Sequence, residues 1–133
     1  MVKLIPGLKG SGKTKLLIEE IRAAQGESKG NVVTVQVGNS LNSQVSHEVR
    51  LINIEDYDIA GCDAMHGFLE GIMASDYDCT HIFVDGILKI VERDFVKIGE
   101  TLDKLHKNSN GTKIVLTMSV DVNELSEKIK KFL

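Results

Sequence analysis

Eight residues near the start of the chain constrain the fold more than any other feature of the sequence. The stretch Gly7–Thr14, GLKGSGKT, matches the pattern G-x-x-x-x-G-K-[ST] at every fixed position. Glycines let the backbone bend closely around an anion, and successive N–H groups then point toward it. The pattern requires a preceding strand and a following helix, which the segments Val2–Ile5 and Thr14–Ala24 are expected to form. The sequence therefore predicts a phosphate-binding loop.

The residue types within this loop predict what it binds. Lys13 carries a charge that can reach the β- and γ-phosphates of a nucleotide, and the Thr14 hydroxyl can ligate magnesium. The helix that follows adds the positive end of its dipole. We therefore expect ATP, or another nucleoside triphosphate, together with Mg²⁺. The motif does not select the base, because the loop contacts the phosphates, which every nucleotide shares. The predicted contact residues are Gly7, Leu8, Lys9, Gly10, Ser11, Gly12, Lys13 and Thr14.

An acidic residue later in the chain is the second candidate for the magnesium site. The segment His81–Asp85 reads as an apolar strand that ends in an aspartate. P-loop proteins place a carboxylate at the end of a strand, and ligand crevices lie at the carboxyl ends of parallel strands. Asp85 is therefore predicted to face magnesium, and the alternative is that it only caps a turn with Gly86.

No residue carries the sequence signature of a general base. Many ATPases of this class place a glutamate directly after the strand-ending aspartate, where this chain has Gly86. Glu48 and Glu55, at the two ends of the expected third strand, are alternatives. The candidates for an arginine finger are few, namely Arg22, Arg50 and Arg93. These observations predict slow hydrolysis.

Apolar runs alternate with helix-period segments along the chain, which is the pattern of a parallel sheet covered by helices. The expected strands are Val2–Ile5, Asn31–Val37, Glu48–Ile54, Thr80–Asp85 and Thr112–Met118. The expected helices are Thr14–Ala24, Ala64–Ala74 with Asp63 as its cap, Leu88–Lys107, and a last one that Asp121 and Glu124 begin as a capping box. Helical spacing predicts which residues of the last two helices face the core, namely Val91, Phe95, Ile98, Leu102 and Leu105 in the first, and Val122, Leu125, Ile129 and Phe132 in the second. The predicted fold is α/β, a three-layer αβα sandwich around a mostly parallel five-stranded sheet.

Length and composition favour one domain that handles a small ligand. The 133 residues suffice for a single core, so residues 1–133 are predicted to form one nucleotide-binding domain. The net charge of −3 gives no overall positive field to hold nucleic acid. No apolar run approaches the length of a membrane span. Cys62 and Cys79 form no metal-binding pair and are expected to be reduced and buried, so the expected compartment is the cytoplasm.

From the P-loop through Asp85, the chain resembles the core of thymidine-kinase-type P-loop proteins. The shared features are Gly7–Thr14, a valine-rich second strand, Ser46-His47 before the third strand, and an apolar strand ending at Asp85. The resemblance implies a RecA-like sheet in which the Asp85 strand does not lie directly beside the first strand. In RecA-like folds a polar residue at the end of the fifth strand can sense the γ-phosphate. That role is open to Thr117 and Ser119, with ordinary strand-end hydroxyls as the alternative.

The whole chain is also similar to a group of small bacterial ATP-binding proteins, some catalogued as twitching motility proteins. The residues that carry this similarity are Leu8–Thr14, Val49–Asn53 and Thr80–Asp85.

Three functions are compatible with these motifs. The first is a small Mg-dependent ATPase, or an ATP-binding switch whose protein partner reads the nucleotide state through residues 38–47 and 55–63. The second is a transferase that phosphorylates a small acceptor. The third is an interaction module in which the nucleotide is structural or vestigial.

Overall fold

A parallel sheet forms the middle layer of a computed structural model that describes residues 1–133. Its five strands lie in the order β1-β5-β4-β2-β3, and every neighbouring pair is parallel. The strand that precedes Asp85 is therefore separated from the first strand by the fifth, as the RecA-like resemblance implied. The strands are β1 (Val2–Pro6), β2 (Asn31–Gln36), β3 (Arg50–Asn53), β4 (Cys79–Val84) and β5 (Lys113–Met118).

Helices cover both faces of the sheet because successive side chains of each buried strand point to opposite sides. In β4, Phe83 packs toward the first helix, whereas Ile82 and Val84 belong to the larger core on the other face. This arrangement confirms the predicted three-layer α/β fold. The helices are α1 (Lys13–Glu27), α2 (Cys62–Ser75), α3 (Phe95–Asn108) and α4 (Glu127–Lys130).

The prediction of one long helix from Leu88 was wrong. A short 3-10 turn spans Ile87–Lys89, and α3 begins only at Phe95, where the Asp94 side chain accepts a hydrogen bond from the Lys97 N–H at 3.1 Å. Val91 is buried, as the apolar spacing suggested, but it lies in the connecting segment. The helical spacing thus continues through residues that are not helical, and the N-cap decides where the helix starts.

The end of the chain also differs from the prediction. The capping box of Asp121 and Glu124 forms, but it closes a 3-10 turn over Val122–Glu124 rather than opening a long helix. Leu125 then takes an extended conformation, so helix α4 is short. Because of this break, Val122 is 40% exposed instead of facing the core, while three predicted core residues are buried, namely Leu125, Ile129 and Phe132.

The ends of two helices and one strand differ slightly from the predicted ones. Helix α1 continues through Gly26 to Glu27, beyond the predicted end at Ala24. The cap of α2 is Gly61, and Asp63 lies exposed in the first turn, 3.5 Å from the Lys97 ammonium. Strand β3 begins two residues later than expected, at Arg50, and ends one residue earlier because the Asn53 side chain accepts a hydrogen bond from the Glu55 N–H and starts a 3-10 turn.

Strand β1 is an edge of the sheet, and its outward-facing N–H groups are already occupied. The Leu4 N–H donates to the Phe132 carbonyl at 2.7 Å, and the Val2 N–H donates to His106 Nδ1 at 3.2 Å. Pro6, the next outward position, has no N–H. The C-terminal segment and α3 therefore close the donor side of this edge.

The two cysteines are free and buried, in agreement with the prediction. Burial, with a further contribution from the Asp76 carboxylate, raises the pKa of the Cys79 thiol to about 11. The thiol is therefore protonated at neutral pH. None of the helices combines the length and the apolar character that crossing a membrane would require.

Candidate functional site

The glycine-rich loop connects β1 to α1 at the carboxyl end of the sheet. It starts against the end of β5, where the Gly7 N–H donates to the Met118 carbonyl and the Gly7 carbonyl accepts from the Val120 N–H, both at 3.2 Å. Gly10 and Gly12 have φ angles of 84° and 88°, in the left-handed region that favours glycine. The backbone of the loop thus favours glycine at Gly12, a fixed position of the pattern, and at Gly10, a variable one.

The backbone of this loop presents hydrogen-bond donors that the protein does not use. The N–H groups of Lys9, Gly10 and Gly12 donate to no other group of the chain. Gly12 is the N-cap of α1 and offers no side-chain acceptor, so the first N–H groups of the helix also have no partner. A loop with several free donors at a helix N-terminus suits an anion such as a phosphate chain.

Lys13 and Thr14 form the start of α1 and lie half-buried at the mouth of this loop. Lys13 forms no salt bridge, so its ammonium is free to meet an anion. The Thr14 hydroxyl donates toward Asp85 Oδ1 over 3.5 Å. The fold therefore brings together the two predicted magnesium residues, which are 71 positions apart in the sequence.

Asp85 follows β4 directly, and its N–H donates to the Val35 carbonyl at 2.9 Å. Its Oδ1 atom accepts a hydrogen bond from the Thr117 hydroxyl at 2.8 Å as well as the long contact from Thr14. The Gly86 N–H donates to the Thr117 hydroxyl at 2.7 Å and not to the Asp85 carboxylate. The carboxylate thus faces the start of α1 and the end of β5. A simple turn cap would instead accept a hydrogen bond from the Gly86 N–H.

Thr117 has a role that sequence reasoning missed. Its side chain is fully buried, and its single hydroxyl proton goes to Asp85 while its oxygen accepts from Gly86. That proton would reach a γ-phosphate only if the bond to Asp85 broke. The register that pairs Val84 with Leu116 sets Asp85 beside Thr117, so the contact is predictable only once strands β4 and β5 are aligned.

Of the candidate bases and arginines, only Arg22 approaches this site, where it lines a cavity together with Thr14 and Lys15. Glu48 precedes β3, at the amino end of the sheet, and accepts from the Gln25 amide at 3.0 Å. Glu55 lies exposed beyond the carboxyl end of β3, which is the far edge of the sheet. Arg93 forms a 2.9 Å salt bridge with Glu124. The remaining candidates are exposed: Arg22 on α1 and Arg50 at the start of β3.

The protein supplies few ligands of its own for a metal. No group of three or more histidine, cysteine or acidic side chains is placed to hold an ion. Thr14 and Asp85 provide one hydroxyl and one carboxylate. Mg²⁺ commonly keeps several waters and binds through one or two protein groups plus the phosphates of a nucleotide, so this donor set fits Mg²⁺ bound with a triphosphate.

A glycine loop between the first strand and helix, with an acid at the end of a non-adjacent parallel strand, defines an α/β fold of the P-loop NTPase type. Among solved structures, the chain is similar to PCH-2 of C. elegans, an AAA+ ATPase, with a TM-score of 0.56 and 13% identity. The match covers 98% of this chain and 33% of PCH-2, so the chain spans about a third of that neighbour's length.

Similarity at this level of identity concerns the fold alone. It supports the P-loop part of the resemblance seen in the sequence, and it gives no support to a bacterial twitching-motility group. A scan of family models and a search of curated proteins each found no match.

Proposed function

We propose that residues 1–133 form one domain that binds a nucleoside triphosphate with Mg²⁺ and acts as a slow ATPase or a nucleotide-dependent switch. The observation that carries this proposal is the 3.5 Å approach of the Thr14 hydroxyl to Asp85, beside a loop in which several backbone donors are free. The similarity of fold to an AAA+ ATPase supports it.

Each residue of the site has a distinct task in this proposal. The free N–H groups of Lys9, Gly10 and Gly12, with those of the first turn of α1, hold the phosphates. Lys13 places its charge on the β- and γ-phosphates. Because the Thr14 proton points to Asp85, the lone pairs of the Thr14 oxygen are free for Mg²⁺. Asp85 holds Thr14 in this orientation and accepts from a water of the metal's shell.

The proposed protein partner would contact residues 38–47, which follow the carboxyl end of β2. Most of this segment is exposed, but Leu41 is fully buried. The segment is also tied to the sheet, because the buried Gln36 accepts from the Leu41 N–H at 3.0 Å and donates to Asn42 Oδ1 at 2.7 Å. It therefore presents a polar surface on a fixed base.

Titration calorimetry with ATP, with and without Mg²⁺, tests binding, and analysis of the products separates the three functions. Free phosphate indicates hydrolysis, a phosphorylated acceptor indicates a transferase, and tight binding with neither product indicates an interaction module. A protein that binds no triphosphate under either condition rules the proposal out.

Basal ATP turnover is expected to be well below the typical enzyme median of about 10 per second. The physical reason is that Gly86 follows Asp85, so no carboxylate is placed there to orient a water, and Arg93 is held by Glu124. Steady-state phosphate release by the purified protein is the measurement. Turnover of several per second without a partner contradicts this expectation, whereas a large rise on adding a partner agrees with it.

Asp85→Asn is expected to weaken Mg²⁺-dependent ATP binding by about 10- to 100-fold, the usual effect of losing a group that orients a metal ligand. Binding without Mg²⁺ should change much less, because the phosphate contacts remain. The matched control is Asp56→Asn, since Asp56 is an exposed acid beyond β3. Calorimetry at several Mg²⁺ concentrations measures both affinities. Equal affinity of variant and parent for Mg-ATP would remove Asp85 from the metal site, and a lower melting temperature alone would favour turn capping.

A further inference from the structure

We propose that Lys89 supplies a positive charge to the terminal phosphate of the bound nucleotide, at the position where many P-loop ATPases carry a glutamate. This inference rests on the proposed function and names the residue that would distinguish a triphosphate from a diphosphate.

The first observation is the path of the Lys89 side chain. Lys89 ends the 3-10 turn Ile87–Lys89, and its N–H donates to the Gly86 carbonyl at 2.9 Å. A Cβ atom added to Gly86 would lie 3.4 Å from Lys89 Cδ and 3.8 Å from its Cγ and Cε atoms. The stem of the lysine therefore covers the residue after Asp85, where the glutamate of other ATPases begins.

The second observation is that the base of this side chain is fixed next to the candidate magnesium site. The Gly86 N–H is bonded to Thr117, which is bonded to Asp85, and Gly86 has a φ of 77° that favours glycine. Ile87 is fully buried beneath the turn. The turn contacts β5, and the end of β5 holds Gly7, the first residue of the P-loop.

The third observation is that the Lys89 charge is not used within the protein. Its ammonium has no carboxylate within 4.0 Å, and the residue is exposed. Arg93 is paired with Glu124, and Arg50 lies at the start of β3, the amino end of the sheet. Arg22 lies nearly three turns along α1 from Gly12 and lines a cavity with Thr14. Lys89 is thus an unpaired cation whose stem lies against the residue that follows Asp85.

A cation at this place has different consequences from a glutamate. A protonated lysine cannot accept a proton from the attacking water, so it does not replace the missing base. It attracts the γ-phosphate, which ADP lacks, and so favours ATP over ADP. Slow hydrolysis and strong discrimination between the two nucleotides follow together, and these are the properties of a switch.

Lys89→Met tests this inference because methionine keeps an apolar stem over Gly86 and removes the charge. We expect the affinity for Mg-ATP to fall roughly tenfold, the usual cost of losing a charged contact, while the affinity for Mg-ADP stays within about twofold. Lys89→Arg should retain the discrimination. The matched control is Lys107→Met, because Lys107 is an exposed lysine without a salt bridge in the last turn of α3. Calorimetry measures both nucleotides, and thermal melting of the apo proteins monitors the fold.

The outcomes separate this inference from the proposed function. If the parent binds Mg-ATP and Lys89→Met binds it equally well, the inference alone is wrong. An equal loss for ATP and ADP, or a loss that accompanies a lower apo melting temperature, would show that Lys89 is structural. A parent that binds neither nucleotide removes both proposals.

Discussion

Mg-ATP is expected to raise the melting temperature of the protein by roughly 8–14 °C, and Lys13→Ala is expected to lose most of that rise. A ligand that binds only the folded state stabilises it by RT ln(1 + [L]/Kd), about 2.7 kcal/mol at a hundredfold excess over Kd. For a domain of this size each kcal/mol moves the midpoint by roughly 3–5 °C. The variant removes the charge on the β- and γ-phosphates and leaves the glycine backbone in place.

The apo variant should melt near the parent, because Lys13 is only half-buried, forms no salt bridge and opens a helix. Lys15→Ala is the matched control, since Lys15 is an exposed lysine of the same helical turn. The measurement is a melting series with ATP, GTP and no nucleotide. If no triphosphate shifts the parent and calorimetry agrees, the protein does not bind nucleotide. If Lys13→Ala unfolds the apo protein, the lysine is structural.

Phe83→Ala is expected to have the opposite effect to Lys13→Ala. It should lower the apo melting temperature by roughly 9–25 °C and leave an ATP-induced rise. Phe83 is 1% exposed and packs in the smaller core, beneath the helix that begins at the P-loop. Truncating a buried phenylalanine costs about 3–5 kcal/mol, through lost apolar burial and the cavity left behind.

Thermal melting with and without Mg-ATP measures both effects. Phe83→Leu is the control, because a smaller change of volume costs less than about 1.5 kcal/mol when neighbours repack. An apo melting temperature for Phe83→Ala within 3 °C of the parent would contradict the described packing of α1 on the sheet. Loss of the ATP-induced rise in a variant that still folds would mean that the nucleotide site depends on this core.

The parts of the fold that follow from short-range patterns could be predicted. The Gly7–Thr14 motif requires a strand, a turn and a helix, and all three are present. Apolar spacing placed Leu102 and Leu105 in the core. Spacing could not show that the helix starts after Asp94, because Val91 and Phe95 keep a helical interval although residues 91–94 are not helical.

The parts of the site that depend on alignment between strands could not be predicted. Asp85 was identified from its place after an apolar strand. Its bond to Thr117 depends on the register of β4 against β5, which no local pattern states. The position of Lys89 depends on Gly86, a glycine in the left-handed region against which the lysine stem lies. Glu48, in contrast, lies away from the site because the parallel direction of β3 places it at the amino end of the sheet.

The occupied edge of β1 also bears on how the molecule behaves at high concentration. An exposed sheet edge is a template on which strands of other molecules can add, and such addition leads to aggregation. A strand arriving beside β1 would find the N–H groups of Val2 and Leu4 taken and none at Pro6, so it could form only half of a ladder. Growth of the sheet from one molecule to the next is therefore blocked on the side that carries the P-loop strand.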